Sequence, residues 1–449
     1  MRLLVGSWAA LLFCAACSSD PAATPADGGT DAAGDSAPPA DGGTDASDAG
    51  PPAPSYCTDE IPQVVTTGAG LTATTTHYEL YAETTQADAI DLARLLEASG
   101  AAFAAWFERP FPLGSGERFK VKYYKDQPSW TAGMAADGIS APTDAGGYFD
   151  PRKKTAYLYK QGNPYYSHVL LVHEATHQYH HVSRIKVPSL PFWYMEGHAE
   201  YLARHDWDGR CVRLGVVSLL SWEDIPAKVS PPIGEPAILD GSVTPTRAQA
   251  WALFRYLDTG PLRAKFKDYR DALDATGTAS FSTLVADPTS LSSPFTAWLP
   301  TAQEPMKPIF TEWVHVGPTS VSVDTPGVFS LAVVKSAVTH FEAKLELPAS
   351  GPWTAGAVVA YTDAQHYIGV VQASNGMVKT FTANGSAIWN DLGAAPLPSG
   401  KLEAFSVDFS GGNANVTFNG KSYTVAAAAP RAGLAANDTT ARFVEVSWK

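Results

Sequence analysis

Residues 173–177 read His-Glu-Ala-Thr-His, and residues 196–200 read Glu-Gly-His-Ala-Glu. Histidines four apart on a helix share one face, about one turn apart, so both imidazoles reach a single ion. Glu174 directly follows the first histidine. Its carboxylate then stands beside such an ion, placed to take a proton from a water molecule. A third protein ligand would complete a catalytic zinc site and leave a fourth position to water. His181 continues the histidine stripe, eight residues beyond His173. That is about 12 Å along a helix axis, too far for bonds of ~2 Å to one ion. Glu196 is the better third ligand. The eighteen residues 178–195 that separate it from His177 suffice to end one helix, turn at Pro188–Pro191 and bring a second helix alongside. Glu200 lies one turn beyond Glu196. It is expected to accept Nδ1–H from a ligand histidine and fix its tautomer, with a solvated helix carboxylate as the plainer reading.

The longer zinc pattern HExxHxxGxxH fails, because His180 and Ser183 stand where it needs glycine and histidine. Instead, HEATH followed by WYMEGHAEY (193–201) resembles the gluzincin zinc metallopeptidases. It is particularly similar to peptidase-MA-like secreted bacterial proteins that carry EGxAEY. The resemblance spans roughly 76–275 and is specific at 157–205. It implies an α+β zincin-like domain holding one Zn2+ through His173, His177 and Glu196. It also implies hydrolysis of a polypeptide or cell-wall peptide, with Glu174 moving the proton. Thr155, Ala156, Tyr157, Leu158 and Tyr159, just before the metal helix, resemble the family's substrate-binding strand, and a buried core strand fits them as well. Tyr256 is the candidate donor to the oxyanion, followed by Tyr194; core packing explains either. His168, His180, His181, His198 and His205 read as helix-packing or surface residues.

These residues need elements to hold them. Residues 76–83 and 118–125 alternate as strands, and 146–161 reads as a hairpin turning near Asp150-Pro151-Arg152. Helices are expected at 86–108, at 167–184 with Ser167 as its cap, at 191–205 starting with Pro191, and at 246–259 and 262–274. Residues 285–312 are Pro-rich and give no clear assignment. From about 318 the texture becomes short alternating segments such as HFEAKLEL (340–347), with Asn419-Gly420 as a hairpin turn. This predicts an all-β sandwich at 318–449, resembling the jelly-roll or concanavalin-like domains of secreted bacterial enzymes, after a metallopeptidase domain at 57–317.

The chain has 449 residues and a net charge of −13, which argues against nucleic-acid binding. Residues 1–16 form an export signal: Arg2, an apolar run from Leu3 to Phe13, then Ala15-Ala16. Cleavage before Cys17 resembles a bacterial lipoprotein signal, with Cys17 lipidated and the chain anchored at the outer membrane or cell surface. An ordinary secretory signal without lipid is the alternative. Residues 17–56 are acidic and poor in large apolar side chains, so a disordered tether is expected. Cys57 and Cys211 are then the thiols left to the folded part. An oxidising compartment favours a disulfide between them over two free buried thiols.

Two other readings fit the same residues. One is a non-catalytic surface lipoprotein with a structural or vestigial zinc site, its sandwich binding a glycan through Trp353, Tyr361, Tyr367 and Trp389, which suit a core equally well. The other is hydrolysis of a non-peptide amide or a cell-wall cross-link. Oligomeric state is not legible.

Overall fold

The computed structural model describes residues 17–18, 54–185, 190–219, 236–239, 241–277, 279–283, 289–301, 305–317, 319–325, 329–347, 351–384, 387–397 and 400–449. The stretches expected to be the signal peptide and most of the tether lie outside them.

The first half is built on a twisted sheet covered by helices. Its strands are β1 (Gln63–Thr67), β2 (Gly70–Thr74), β3 (Tyr78–Ala82), β4 (Phe119–Tyr124), β5 (Ala145–Asp150) and β6 (Thr155–Tyr159). They lie in the order β5-β6-β4-β3-β2-β1. β3, β4 and β6 run parallel, whereas β5 folds back antiparallel on β6. A two-residue strand, Cys17–Ser18, pairs with the outer edge of β5. The parallel step from β3 to β4 needs a crossover, and helix α1 (Gln86–Trp106) supplies it, capped by the Thr85 hydroxyl. Its apolar stripe, including Leu92, Leu95, Leu96 and Phe103, is buried in the main core. Helix α2 (Gln127–Ala136) links β4 to β5.

Two long helices follow. Helix α3 (Pro164–Ser183) starts earlier than its sequence suggests. Asn163, not Ser167, is its cap, accepting from the backbone of Tyr165 and Tyr166. Ser167 instead accepts from the Gln161 backbone. Helix α4 (Phe192–Ala203) begins after Pro191, whose fixed φ suits the position. Helices α5 (Arg247–Thr259), α6 (Arg263–Thr276) and α7 (Thr289–Thr301) complete this half. Thr246 and Gln249 form a reciprocal capping box at the start of α5. A disulfide joins Cys57 to Cys211 and so ties the first folded residues to the strand Cys211–Leu214, the second after α4.

From Met306 onward the chain forms two antiparallel sheets packed face to face. Among the described residues, one has seven strands. The other has seven from this half plus Val217–Ser218, which pairs with Val314 and His315. Alternation buries Phe341, Ala343, Leu345, Phe405 and Val407 between the sheets. Asn419 and Gly420 have φ of 44° and 85°, as a tight hairpin turn requires. The sandwich starts earlier than its sequence texture implies. Strands Met306–Ile309 and Trp313–Gly317 belong one to each sheet, so the expected boundary at 317 falls inside it. Pro308 hides this: proline disguises a strand, and Met306–Ile309 tolerates it as the outermost strand of its sheet.

Candidate metal centre

α3 and α4 bring His173, His177 and Glu196 together. Their ligand atoms lie within 4.8 Å of one another, and all three residues are buried. The two Nε2 atoms are 3.1 Å apart. Glu196 Oε2 is 3.3 Å from His173 Nε2, and Oε1 is 3.5 Å from His177 Nε2. A tetrahedral ion with bonds of ~2.0–2.1 Å separates its ligands by about 3.3 Å, so these spacings match the edges of such a tetrahedron. Glu200 Oε1 faces His173 Nδ1 at 3.5 Å. This orientation favours a proton on Nδ1 and leaves the Nε2 lone pair for a cation.

Glu174 is fully buried, and neither of its carboxylate oxygens has a hydrogen-bond partner among the described residues. It sits against the backbone of β5. A Cβ on Gly147 would stand 2.7 Å from Glu174 Oε1, so only glycine lets the strand pass this close. An unpartnered buried carboxylate is costly, and a cation with its water would relieve that cost.

Residues with no metal-motif signature complete the site. Arg247, at the first position of α5, donates from Nη1 to Glu200 Oε1 at 2.9 Å. Its Nη2 lies 3.1 Å from Glu196 Oε2, an ion pair without hydrogen-bond alignment. Gly197 makes this reach possible: a Cβ there would stand 2.6 Å from the Ala250 carbonyl oxygen, so glycine lets α5 approach α4. Arg204, which ends α4, donates to Glu200 Oε2 at 2.7 Å and to Glu312 Oε1 at 2.6 Å. Burial pushes the Glu196 carboxyl up, but Arg247 and His177 outweigh it and hold the group well below the usual carboxylate range. Burial likewise raises Glu200, yet Arg204, His173 and Arg247 bring it down to about 2. For His177, burial favours the neutral ring, and the Glu196 and Glu174 carboxylates reverse this and raise its pKa. Glu196, Glu200 and Glu312 pair with Arg204 and Arg247, whereas Glu174 pairs with neither. The ligand set and the tetrahedral spacing fit a zinc ion.

Other expected site residues fall elsewhere. β6, Thr155–Tyr159, is hydrogen-bonded to β5 on one side and β4 on the other, so it cannot take an extended peptide. The core-strand reading is correct there: Thr155, Ala156, Tyr157 and Leu158 are buried. Tyr256 packs against Phe295 and Trp298 of α7, with ring centroids 5.3 and 5.2 Å away. It lies nine residues along α5 from Arg247, half a revolution round and about 13 Å on, and its ring contacts are with α7. Tyr194 donates to Asp274 at 2.8 Å, in a buried network with His180. His198 accepts from Trp106 Nε1 within an aromatic cluster. His168, His181 and His205 pack against Asp91, Phe149 and Tyr165 respectively. In the sandwich, Trp353 and Tyr367 are buried, and Trp389 is 42% exposed on the ring of Phe381.

No family model matches the chain, and no curated protein matches it. Partial matches exist among solved structures. A carbohydrate-binding module from Bacillus subtilis is 15% identical, covering 29% of this chain and 86% of its own, with a TM-score of 0.25. A functionally unknown protein from Saccharomyces cerevisiae is 14% identical, covering 32% and 96%, with a TM-score of 0.25. A xylan β-1,4-xylosidase from Bacillus halodurans is 14% identical, covering 28% and 31%, with a TM-score of 0.22. Likeness at this level carries no argument about activity.

Proposed function

We propose that this chain is a zinc-dependent metallopeptidase. The observation that carries the reading is the juxtaposition of three buried ligand atoms at tetrahedral spacing with the unpartnered Glu174 carboxylate at the edge of a sheet. Bound there by His173, His177 and Glu196, a zinc ion would polarise a carbonyl oxygen and lower the pKa of water toward ~7. Glu174 takes a proton at a carboxylate oxygen and returns it to the leaving amine nitrogen. His173 is held in one tautomer by Glu200, and Glu200 is fixed by Arg204 and Arg247. An extended peptide pairs with the outer edge of β5, the strand next to the one its sequence suggested, and displaces Cys17–Ser18. Gly147 on that strand brings the peptide backbone over Glu174.

Among the described residues the ligand group has three members. A structural zinc site is usually closed by four, so the count supports catalysis. Export is part of the proposal. The leader pattern and the Cys57–Cys211 disulfide both suit an oxidising compartment outside the cytoplasm. The test is a peptide-library digest of the full chain with metal analysis of the same sample. One bound zinc and cleavage abolished by a chelator are expected. A chain that binds zinc stoichiometrically and cleaves nothing would overturn the peptidase assignment.

A further inference from the structure

The first residues of the sandwich touch both helices that carry the metal-ligand side chains. Thr311 Oγ1 accepts a hydrogen bond at 2.7 Å from Nδ2 of Asn163, the residue that caps the start of α3. Its neighbour Glu312 accepts at 2.6 Å from Nε of Arg204, the residue that ends α4. The start of α3 and the end of α4 therefore meet at one end of the helix pair, and two consecutive sandwich residues hold both. Val314 and Val316 extend the contact, buried with Tyr165 and Val169 of α3 and Ala203 of α4.

Arg204 passes this contact inward. Its Nη1 donates to Glu200 Oε2 at 2.7 Å, and Glu200 Oε1 lies 3.5 Å from His173 Nδ1. Glu312, Arg204, Glu200 and His173 thus form one buried chain from the sandwich to a ligand imidazole. Only 5% of Glu312 is exposed, so solvent does not dilute its charge. We propose that Glu312 is a positioning residue of the metal centre, so that the sandwich is a working part of the site and not an appended module. This rests on the metal reading above. Glu312 shares the charge of Arg204 with Glu200. Without it, the guanidinium acts on Glu200 alone, and Glu200 becomes a weaker acceptor for His173 Nδ1–H. The site also loses one negative charge. Both changes lower the affinity for a divalent cation.

The test uses the full chain loaded with Co2+ or Zn2+, with affinity read by competition against a chromogenic chelator and ligand geometry by the visible Co2+ spectrum. Glu312→Gln keeps the shape and removes the charge. It is expected to weaken the metal about 10-fold, within the usual range for partners behind a metal ligand, and to shift the Co2+ bands. Glu312→Asp keeps the charge on a shorter arm and is expected to lose about threefold. Arg442→Gln is the control, because Arg442 pairs with Asp206 across the same domain seam and touches no member of the chain. It is expected to leave affinity and spectrum unchanged. An unchanged affinity and spectrum in Glu312→Gln, or an equal loss in Arg442→Gln, overturns the proposal while the metal reading stands. A wild-type chain that takes up neither metal overturns both. Should Glu312→Gln not fold, Glu312→Asp decides alone, and no loss in it overturns the proposal.

Discussion

Helices α3 and α4 bury His173, Glu174, His177, His180, Glu196, His198 and Glu200. The sheets of the sandwich bury mainly aliphatic and aromatic side chains. Their buried polar residues, such as Ser322, Ser330, Gln372 and Thr380, are mostly neutral. The two regions are equally dry and differ in what they hold away from water. Burying a charge costs free energy that only a partner or a cation returns. A fold needs nothing of this kind to be stable, as the sandwich demonstrates. Concentrated buried charge beside a sheet edge therefore points to chemistry, and an apolar interior points to stability.

The largest effect that separates the two regions is catalytic. Glu174→Gln is expected to lower peptide hydrolysis about 10²–10⁴-fold while keeping the bound metal. His177→Ala is expected to lose both. Metal content by mass spectrometry and a timed digest check the pair. Wild-type turnover in Glu174→Gln would remove the role assigned to that carboxylate. In the sandwich, Phe418→Ala is expected to cost about 3–5 kcal/mol of stability in a denaturant melt. Phe418 is 1% exposed and packs on Phe405 at 5.8 Å. The folded variant should keep its metal affinity, and a parallel loss of affinity would show that the two kinds of interior are not separable.

A smaller effect joins packing to charge. Gly197→Ala places a Cβ against the Ala250 carbonyl and forces α5 away from α4. The expected cost is about 1–3 kcal/mol of stability, together with weaker metal binding as Arg247 withdraws from Glu196 and Glu200. Thermal melts with and without added zinc measure both. If stability falls but the zinc-induced rise in Tm stays as in wild type, Arg247 does not support the ligands.

Local signals in the chain account for much of this. The spacing of His173, Glu174 and His177 is a helix-face relation that any reader of the sequence can compute. The Pro-rich link and the stretch from Trp193 to Tyr201 announce a second helix. Alternation in 340–347 and the Asn-Gly turn at 419–420 announce antiparallel strands. What stayed hidden was long-range. Arg247 lies 51 residues beyond Glu196, and Glu312 lies 108 beyond Arg204. Nothing in their neighbourhoods marks them as site residues, because their partners are chosen by packing. Gly197 was the available clue: a glycine inside a helix is unfavourable, and here it marks a close helix crossing. The strand at 155–159 misled for a related reason. Adjacency in sequence to the metal helix does not make a strand an edge: β6 is paired on both sides, with β5 and with β4.

The last expected effect concerns a buried carboxyl group within the sheets of the sandwich. Glu403 is 1% exposed, and neither carboxylate oxygen has a hydrogen-bond partner among the described residues. Burial pushes its carboxyl up from 4.5 to about 7. Between these values the folded chain holds a proton that the unfolded chain has released. Stability therefore falls as pH rises through that window, because the native state binds more protons there. The loss is about 3 kcal/mol by pH 8. Glu403→Gln stays neutral throughout and escapes it. Denaturant melts of both proteins at pH 5 and pH 8 isolate the effect, because groups common to the two chains cancel in the difference. The variant should gain about 2.5 kcal/mol over wild type on going from pH 5 to pH 8. An equal difference at both pH values would mean that Glu403 finds a partner or water in solution. Glu403 would then no longer be a buried carboxyl without a partner, and the parallel with Glu174 would be lost.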